Sequence, residues 1–407
     1  MKTIRLLLLI ALVVVSCSEN KDSSAKLLKL VDRNLDMAIE QYMQMAESLI
    51  DKPGLLPRSY SGGNLITCHS EWWVSGFFPG SLWYLYEYSD NEKIKKMAEL
   101  FSKRVEDQQF TTDNHDVGFM IYNSFGNGYR ITGDNQYKDV ILTAAGSLAT
   151  RFNPVVGCIR SWDWGEWQFP VIIDNMMNLE LLFFASQEEG NRYMYDLAVS
   201  HADKTLTNHF RPDGSCFHVV SYDTVTGNVL SRETRQGYSD ESAWARGQAW
   251  ALYGYTMCYR ETKNVAYLNQ AKKTAGFIIN HPNFPEDKIP YWDFDDPEIP
   301  DTYRDASSAA IICSALTELS RYVDRPLRDK YLTIAEILIR SLSSRAYRSS
   351  PGTNGNFLLK HGVGSKPENS EVDVPLTYAD YYYIEAMMRY KKLKDNLNIE
   401  HRLTNVD

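Results

Sequence analysis

Gly76-Phe77-Phe78-Pro79-Gly80, running on through Tyr88-Ser89-Asp90-Asn91 into Glu92-Lys93-Ile94-Lys95-Lys96-Met97, holds the fold in a single unit. An apolar, aromatic and glycine-bearing helix gives way to a short polar turn, and a helix with charged residues follows. A helix apolar all round is buried, while one with a charged face lies outside. The same order recurs along the chain. A second unit runs from Asp116 through Thr132-Gly133-Asp134-Asn135 into Tyr137-Lys138-Asp139-Val140. A third starts at Asp174 and turns at Glu188-Glu189-Gly190-Asn191, and a fourth starts at Trp244 and turns at Glu261-Thr262-Lys263-Asn264. The fifth starts at Asp305 and turns at Val323-Asp324-Arg325-Pro326. Helical stretches at 25–49 and 377–394 make a sixth pair if the two ends of the chain meet. Six pairs can close as an inner ring within an outer ring, an all-α (α/α)6 barrel; an open solenoid of helix pairs is the competing arrangement. Closure is favoured because both terminal helices are amphipathic and each can partner the other. The expected domain spans 25–397, with a polar tail over 398–407.

The links are unequal. Those joining an inner helix to its own outer helix are short, whereas those leading to the next inner helix are long, at 152–173, 210–242 and 281–303. Long loops in a compact domain are usually functional. All three end where an inner helix begins, so they should gather at one end of the barrel. Within 210–242, residues 217–222 and 228–232 flank Thr226-Gly227 and read as a small β-hairpin, a wall for a cleft. Asp116 and Asp174 open inner helices at that same end. An Asp at a helix start is first of all an N-cap. Here His115 and Asp113 neighbour Asp116, and Asp174 follows the wholly apolar Val171-Ile172-Ile173. Both therefore also read as a carboxyl pair for acid–base chemistry on a sugar. Burial and a second carboxylate raise an Asp pKa, while a helix N-terminus lowers it, and the sequence leaves both outcomes open.

Tryptophans collect at loops and inner-helix starts: Trp72 and Trp73, then Trp162, Trp164 and Trp167, then Trp244, Trp250 and Trp292. Flat rings fill a wide core, and they also stack on sugar faces. Arg246 and Trp250 lie four apart on one helix face. A guanidinium there can clamp a carboxylate or pair with an acid at the edge of the core. His218 and Gln236 face the same cleft if the long loop folds over it. A net charge of -9 with no basic cluster argues against nucleic acid as a partner. No zinc-type His spacing, phosphate loop or G-x-S-x-G stretch is present, so no metal and no cofactor is expected. Cys68, Cys158, Cys216, Cys258 and Cys313 are scattered and odd in number, which predicts buried thiols rather than a disulfide framework.

Lys2 and Arg5 precede an apolar run, Leu6 to Val15, that meets Ser16-Cys17-Ser18. The run is too short to span a bilayer and has the form of a secretory h-region. A Cys after small and aliphatic residues resembles a bacterial lipoprotein cleavage site. The expectation is a signal peptide over 1–17, a lipidated Cys17 and a tether over 18–24. The product would be an exported lipoprotein of the periplasm or outer membrane, touching a membrane only through its lipid. An ordinary signal peptide and an uncleaved anchor are the alternatives.

Several blocks together resemble one family. They are Trp73-Val74-Ser75-Gly76-Phe77-Phe78-Pro79-Gly80, His115-Asp116-Val117-Gly118-Phe119 and Ile173-Asp174-Asn175-Met176-Met177-Asn178, followed by Gln236-Gly237-Tyr238, 244–250 and Arg304-Asp305-Ala306-Ser307-Ser308. In that order they are similar to the unsaturated glucuronyl hydrolases of glycoside hydrolase family 88. The resemblance implies the (α/α)6 barrel and, as partner, an oligosaccharide ending in a Δ4,5-unsaturated uronic acid left by a lyase, with glycosaminoglycans as the expected source. It implies Asp174 as general acid/base and Asp116 as the residue that tunes it. Trp73, His115, Trp162, His218, Gln236, Trp244, Arg246 and Trp250 would contact substrate. It also implies protonation at C4 and hydration at C5 of a vinyl ether, rather than displacement at the anomeric carbon. An unsaturated galacturonyl hydrolase of pectin type, an inverting glucanase and a glycan-binding lipoprotein without turnover are the other readings.

Overall fold

A computed structural model describes residues 2–404, with side chains over 24–396. The expected signal stretch 1–17 with Cys17, the tether apart from Ser24, and the tail 398–407 lie outside the described side chains. Twelve α-helices are described: α1 (Lys2–Leu49), α2 (Phe77–Ser89), α3 (Glu92–Lys103), α4 (Asn127–Thr132), α5 (Asn135–Ala149) and α6 (Leu179–Glu189), then α7 (Arg192–Asn208), α8 (Ala245–Thr262), α9 (Val265–Asn280), α10 (Ala306–Leu319), α11 (Arg325–Leu342) and α12 (Thr377–Thr404). The second inner element is not a plain α-helix. A π-helix, Gly118–Gly126, runs into α4, and a 3-10 turn, Ile173–Asn178, leads into α6.

The inner ring closes. Around it, α2 packs on the π-helix, which packs on α6 and its 3-10 turn; these pack on α8, α8 on α10, α10 on α12, and α12 back on α2. Outside, α1 lies against α12, α2, α3 and α11, so the two ends of the chain do supply the sixth pair. This is an (α/α)6 barrel. Burial follows the apolar pattern: every residue of α10 from Ala306 to Leu319 is buried. On outer α3 only Ile94, Ala98, Phe101 and Ser102 are. Where α8 meets the third unit, Gly254 has no room for a Cβ, which would stand 2.6 Å from Met176 Cβ.

The polar turns do two jobs in succession. Asp90, Gly133, Gly190 and Lys263 end inner helices in the left-handed conformation, which unwinds the chain. Asn91, Asp134, Asn191, Asn264 and Asp324 then accept backbone N–H groups at the starts of the outer helices.

Strands are more numerous than the single expected hairpin. That hairpin forms from Val219–Tyr222 and Val229–Glu233, with a third strand, Pro170–Ile172, on its other edge. Three further hairpins pair Leu56–Ser61 with Asn64–Cys68, Phe152–Asn153 with Cys158–Ile159, and Gly362–Ser365 with Ser370–Val374. The strand Gly362–Ser365 is buried along its length. The five cysteines from Cys68 to Cys313 are free and buried. Among the described residues no helix is long and apolar enough to cross a membrane.

Candidate active site

Unit-opening aspartates separate into two kinds. Asp305 is a cap: its carboxyl accepts the N–H groups of Ser307 and Ser308 and both their hydroxyls. Neither Asp116 nor Asp174 caps its element: the π-helix starts after Val117 and the 3-10 turn after Ile172, with no side-chain cap at either. Both carboxyls instead line a cavity of about 380 Å³, together with Trp72, Trp73, His115, Trp162, Trp164, His218, Gln236 and Arg246.

Sheet register fixes one side. Ile172 pairs with Val219, and the Ile173 N–H donates to the His218 carbonyl at 3.0 Å. Asp174 therefore leaves the strand beside the His218 side chain. His218 Nδ1 accepts the N–H groups of Arg235 at 3.1 Å and Gln236 at 3.3 Å. An imidazole nitrogen that accepts cannot carry the proton, so Nε2 holds it. That nitrogen lies 3.8 Å from Asp174 Oδ2, and neither atom has a hydrogen-bond partner in the protein. Burial first, then Arg246, pushes the His218 pKa well down. The pair is a neutral imidazole beside a carboxyl, not a salt bridge.

Asp116 is held from the other side. The Asn114 side chain accepts its N–H at 2.9 Å, and the His115 N–H donates to the Ser161 carbonyl, tying this segment to the loop that carries Trp162. Arg151 grips that loop through Asp163, with two contacts of 3.0 Å, and through the Arg160 carbonyl at 2.8 Å. His115 Nε2 lies 3.5 Å from Asp116 Oδ1, and burial aided by Arg151 lowers the His115 pKa to about 3. It too is neutral near pH 7.

Both aspartates are shifted upward. Burial raises Asp174 to about 7, opposed by Arg246, its own backbone N–H and the Trp250 indole. Burial and then the Asp174 charge raise Asp116, with Arg151 opposing. The Asp116 side chain is 20% exposed and that of Asp174 12%, so each opens into the cavity. The Trp250 indole N–H lies toward Asp174 but completes no hydrogen bond. Desolvation thus wins over the helix start that the sequence left in the balance.

Arg246 is less free than a simple clamp. Its side chain is buried, donates to the carbonyls of Val363 and Gly364, stacks on Trp244 at 4.6 Å and stands 3.7 Å from Asp305. It borders the cavity, and its Nε has no partner in the protein. Of the two alternatives the sequence posed for it, the pairing with an acid at the edge of the core is present, through Asp305. Trp244 and Trp250 do not line the cavity. Trp244 stands behind His218, with ring centroids 4.5 Å apart, and Trp250 packs on Phe119 at 5.3 Å. Of the crowded tryptophans, Trp72 and Trp73 both line the cavity, as do Trp162 and Trp164, the latter two stacked at 4.6 Å. Arg235, Glu368 and Ile172 also line it and were not anticipated. Arg235 lies over Trp164 at 4.4 Å and pairs with Glu368 in the turn of the last hairpin. Its position next to Gln236 was the available signal; Glu368 had none. Among the described residues no cluster of His, Cys, Asp and Glu could hold a metal ion.

Residues 58–393 match the profile of Glycosyl Hydrolase Family 88. The chain belongs to that family. It is a glycoside hydrolase. Over 324 residues, 79% of this chain and 80% of the relative, it is 49% identical to an unsaturated glucuronyl hydrolase of Formosa agariphila. It is 36% identical to an unsaturated chondroitin disaccharide hydrolase of Streptococcus pneumoniae, over 79% of this chain and 82% of that one. A solved structure of an unsaturated glucuronyl hydrolase specific for heparin superposes with a TM-score of 0.88 at 48% identity, over 90% of this chain and 98% of that one. An aspartate-to-asparagine mutant of the Streptococcus agalactiae unsaturated glucuronyl hydrolase, complexed with dGlcA-GalNAc6S, superposes at 0.76 with 30% identity, over 88% of this chain and 91% of that one.

Proposed function

We propose that this family 88 hydrolase removes a Δ4,5-unsaturated uronic acid from the non-reducing end of lyase-generated, glycosaminoglycan-derived oligosaccharides. One observation carries the reading: a buried aspartate with an unpartnered oxygen, raised to about 7, facing an aromatic cavity beside a second aspartate. A carboxyl with that proton affinity can hold a proton near neutral pH and release it. Asp174 donates this proton to C4 of the enol ether, and the C4–C5 double bond supplies the electron pair. Positive charge then rests on C5 and the ring oxygen. Water adds at C5 and gives its proton back to Asp174, which closes the cycle and leaves a hemiketal. Ring opening expels the aglycone as an alcohol and leaves a 4-deoxy-5-keto uronate.

Asp116, raised to about 8 by burial and the Asp174 charge, titrates together with Asp174 and helps keep a proton on the pair near neutral pH. The His218 Nε2–H offers a neutral donor beside the reacting atoms, and the Arg246 Nε is available to the substrate carboxylate. Trp72, Trp73, Trp162 and Trp164 give flat faces for sugar rings. The test is the ultraviolet band of the unsaturated uronate, followed with unsaturated disaccharides from hyaluronan, chondroitin, heparin and pectin. Loss of the band with a glycosaminoglycan disaccharide is expected. A band that persists with all of them would sink the proposal, and loss with the pectin product alone would move the substrate class to galacturonyl.

We also propose that Cys17 is lipidated and that a single domain over 25–397 is displayed in the periplasm or at the outer membrane. The support is Lys2 and Arg5 ahead of the Leu6 to Val15 run and the Cys that follows it. Palmitate labelling that is lost in Cys17→Ser is the expected result; labelling that survives the change would reject it.

A further inference from the structure

Asp116 and Asp174 belong to different units of the barrel, yet one side chain spans the gap between their segments. Asn178, four residues after Asp174 and wholly buried, accepts the Phe119 N–H through Oδ1 at 2.9 Å. Phe119 stands three residues after Asp116, at the start of the π-helix. Next to it, Gly118 has no Cβ, and one placed there would stand 2.6 Å from Asn178 Oδ1 and 2.8 Å from Asn178 Cα. The asparagine therefore sits in a notch that only glycine leaves open. Accepting that N–H turns its amide nitrogen to a place where it has no partner in the protein. A buried unpaired donor is costly, so the arrangement is poor as plain packing, and an apolar side chain would fill the same space without that cost. We infer that Asn178, seated against Gly118, is a positioning residue that fixes how far the Asp116 carboxyl stands from the Asp174 carboxyl.

The consequence is electrostatic. Two carboxyls held close raise one another's proton affinity, and the effect falls as they separate. The other groups facing the pair are His115 and Arg151 on the Asp116 side, with His218, Arg246 and, more distantly, Cys216 on the Asp174 side. None of them shares a hydrogen bond with the Asn178 side chain. The inference rests on the proposed reaction only for its kinetic readout, since the proton affinity of the pair is also readable from the pH dependence of stability.

Asn178→Leu removes the acceptor and keeps the bulk, Asn178→Ser is the milder change, and Gly118→Ala keeps the Asn178 side chain but presses a Cβ against it and pushes the same two segments apart. Expected for all three is a kcat at least tenfold lower with KM within twofold, and an alkaline limb of the kcat profile moved to lower pH. Asn178→Asp, which keeps an acceptor in the same place, is expected to recover part of kcat. In an Asp116→Asn background, Asn178→Leu should move the limb no further. The melting temperature of the wild type should fall more steeply between pH 6 and 9 than that of Asn178→Leu. Variants that melt earlier but keep the wild-type kcat, limb and slope would overturn the inference. A wild type without turnover, but with the difference in slope intact, would reject the proposed reaction and leave the positioning role standing.

Discussion

The barrel holds a polar cavity toward each end of its inner helices, and the two are furnished alike but settled differently. One lies at the helix starts and carries Asp116, Asp174, His115 and His218. The other, about 470 Å³, lies toward the C-terminal halves and is lined by Tyr84, Tyr253, Glu180, Arg260, Glu385 and Arg389. A raised carboxyl occurs at both: burial lifts Glu180 to about 7 despite Arg260. Partner satisfaction is what separates them. Arg260 binds both oxygens of Glu318 at 2.9 Å as well as Glu180 and Glu261, and Arg389 binds Glu318 at 2.8 Å. Glu385 accepts from Tyr84, Tyr253 and Ser314. Of the residues lining that cavity, only Asn123 leaves a buried side-chain polar atom unpaired. In and around the upper cavity Asp174 Oδ2, His218 Nε2, His115 Nδ1, Trp162 Nε1, Trp250 Nε1 and Arg246 Nε are all without a partner. Buried polar atoms are nearly always paired in a folded protein. A group of unpaired ones around two raised aspartates marks the end reserved for a ligand.

Removing the central acid should give the largest effect. Asp174→Asn is expected to lower kcat by about 10³-fold, within the range general acid catalysis supplies, while leaving disaccharide affinity within a few-fold. Steady-state kinetics together with calorimetric titration would check both. Stability should move the other way. The folded pKa of Asp174 lies above its unfolded value, so the stability it contributes is full below about pH 4 and is lost as pH rises through about 7. Asp174→Asn should therefore unfold later than the wild type at pH 8, by on the order of 2 kcal/mol, and gain nothing at pH 4. A variant that kept full turnover would make the upper cavity a binding site only.

Arg260→Met tests the other end. It strands Glu180, leaves Glu318 to Arg389 and Tyr322 and, with the Arg260 side chain 26% exposed, should cost about 2–4 kcal/mol in denaturant unfolding. Turnover per folded molecule should not change. Lost activity in a folded variant would erase the distinction between the ends.

Asp116→Asn should act on the pH profile more than on folding. The two buried carboxyls titrate together as a pair, with Asp116 raised to about 8 by burial and the Asp174 charge. Taking one carboxyl away should therefore move the alkaline limb of kcat down by about one pH unit, an energy of about 1.4 kcal/mol. A limb that did not move would mean that burial alone holds the proton.

How much of this was legible depended on how local the cause was. Helix alternation, turn residues and caps are written in runs of adjacent residues, so the twelve-helix ring could be read from pattern. The long loops pointed to one end of the barrel, and both aspartates line the cavity at that end. The strand Pro170–Ile172 was harder, because its partner Val219–Tyr222 is about 50 residues on and three apolar residues carry no period. Cap or catalyst was undecidable for Asp116, Asp174 and Asp305 alike; that answer depends on which carboxyl finds donors after folding. Arg246 was read with two alternatives, and its acid partner Asp305 and its carbonyl partners Val363 and Gly364 all come from more than fifty residues away, beyond the reach of local pattern.

The smallest expected effect concerns the rim. Trp164 is 49% exposed, stacks on Trp162 and carries Arg235 above it at 4.4 Å. Its removal uncovers little core, so Trp164→Ala should alter stability by less than about 0.5 kcal/mol, as surface changes usually do. If the ring stacks on a sugar of the leaving group, the loss should be about 1 kcal/mol of binding, the usual scale for one aromatic contact, or roughly fivefold in KM. kcat should hold, because the proton passes deeper in the cavity, from Asp174 to the substrate beside His218. The upper cavity would then divide into an inner part that sets the rate and an outer part that sets affinity. A fall in kcat with KM unchanged would remove that division and make Trp164 part of the frame that holds Trp162 over the aspartates.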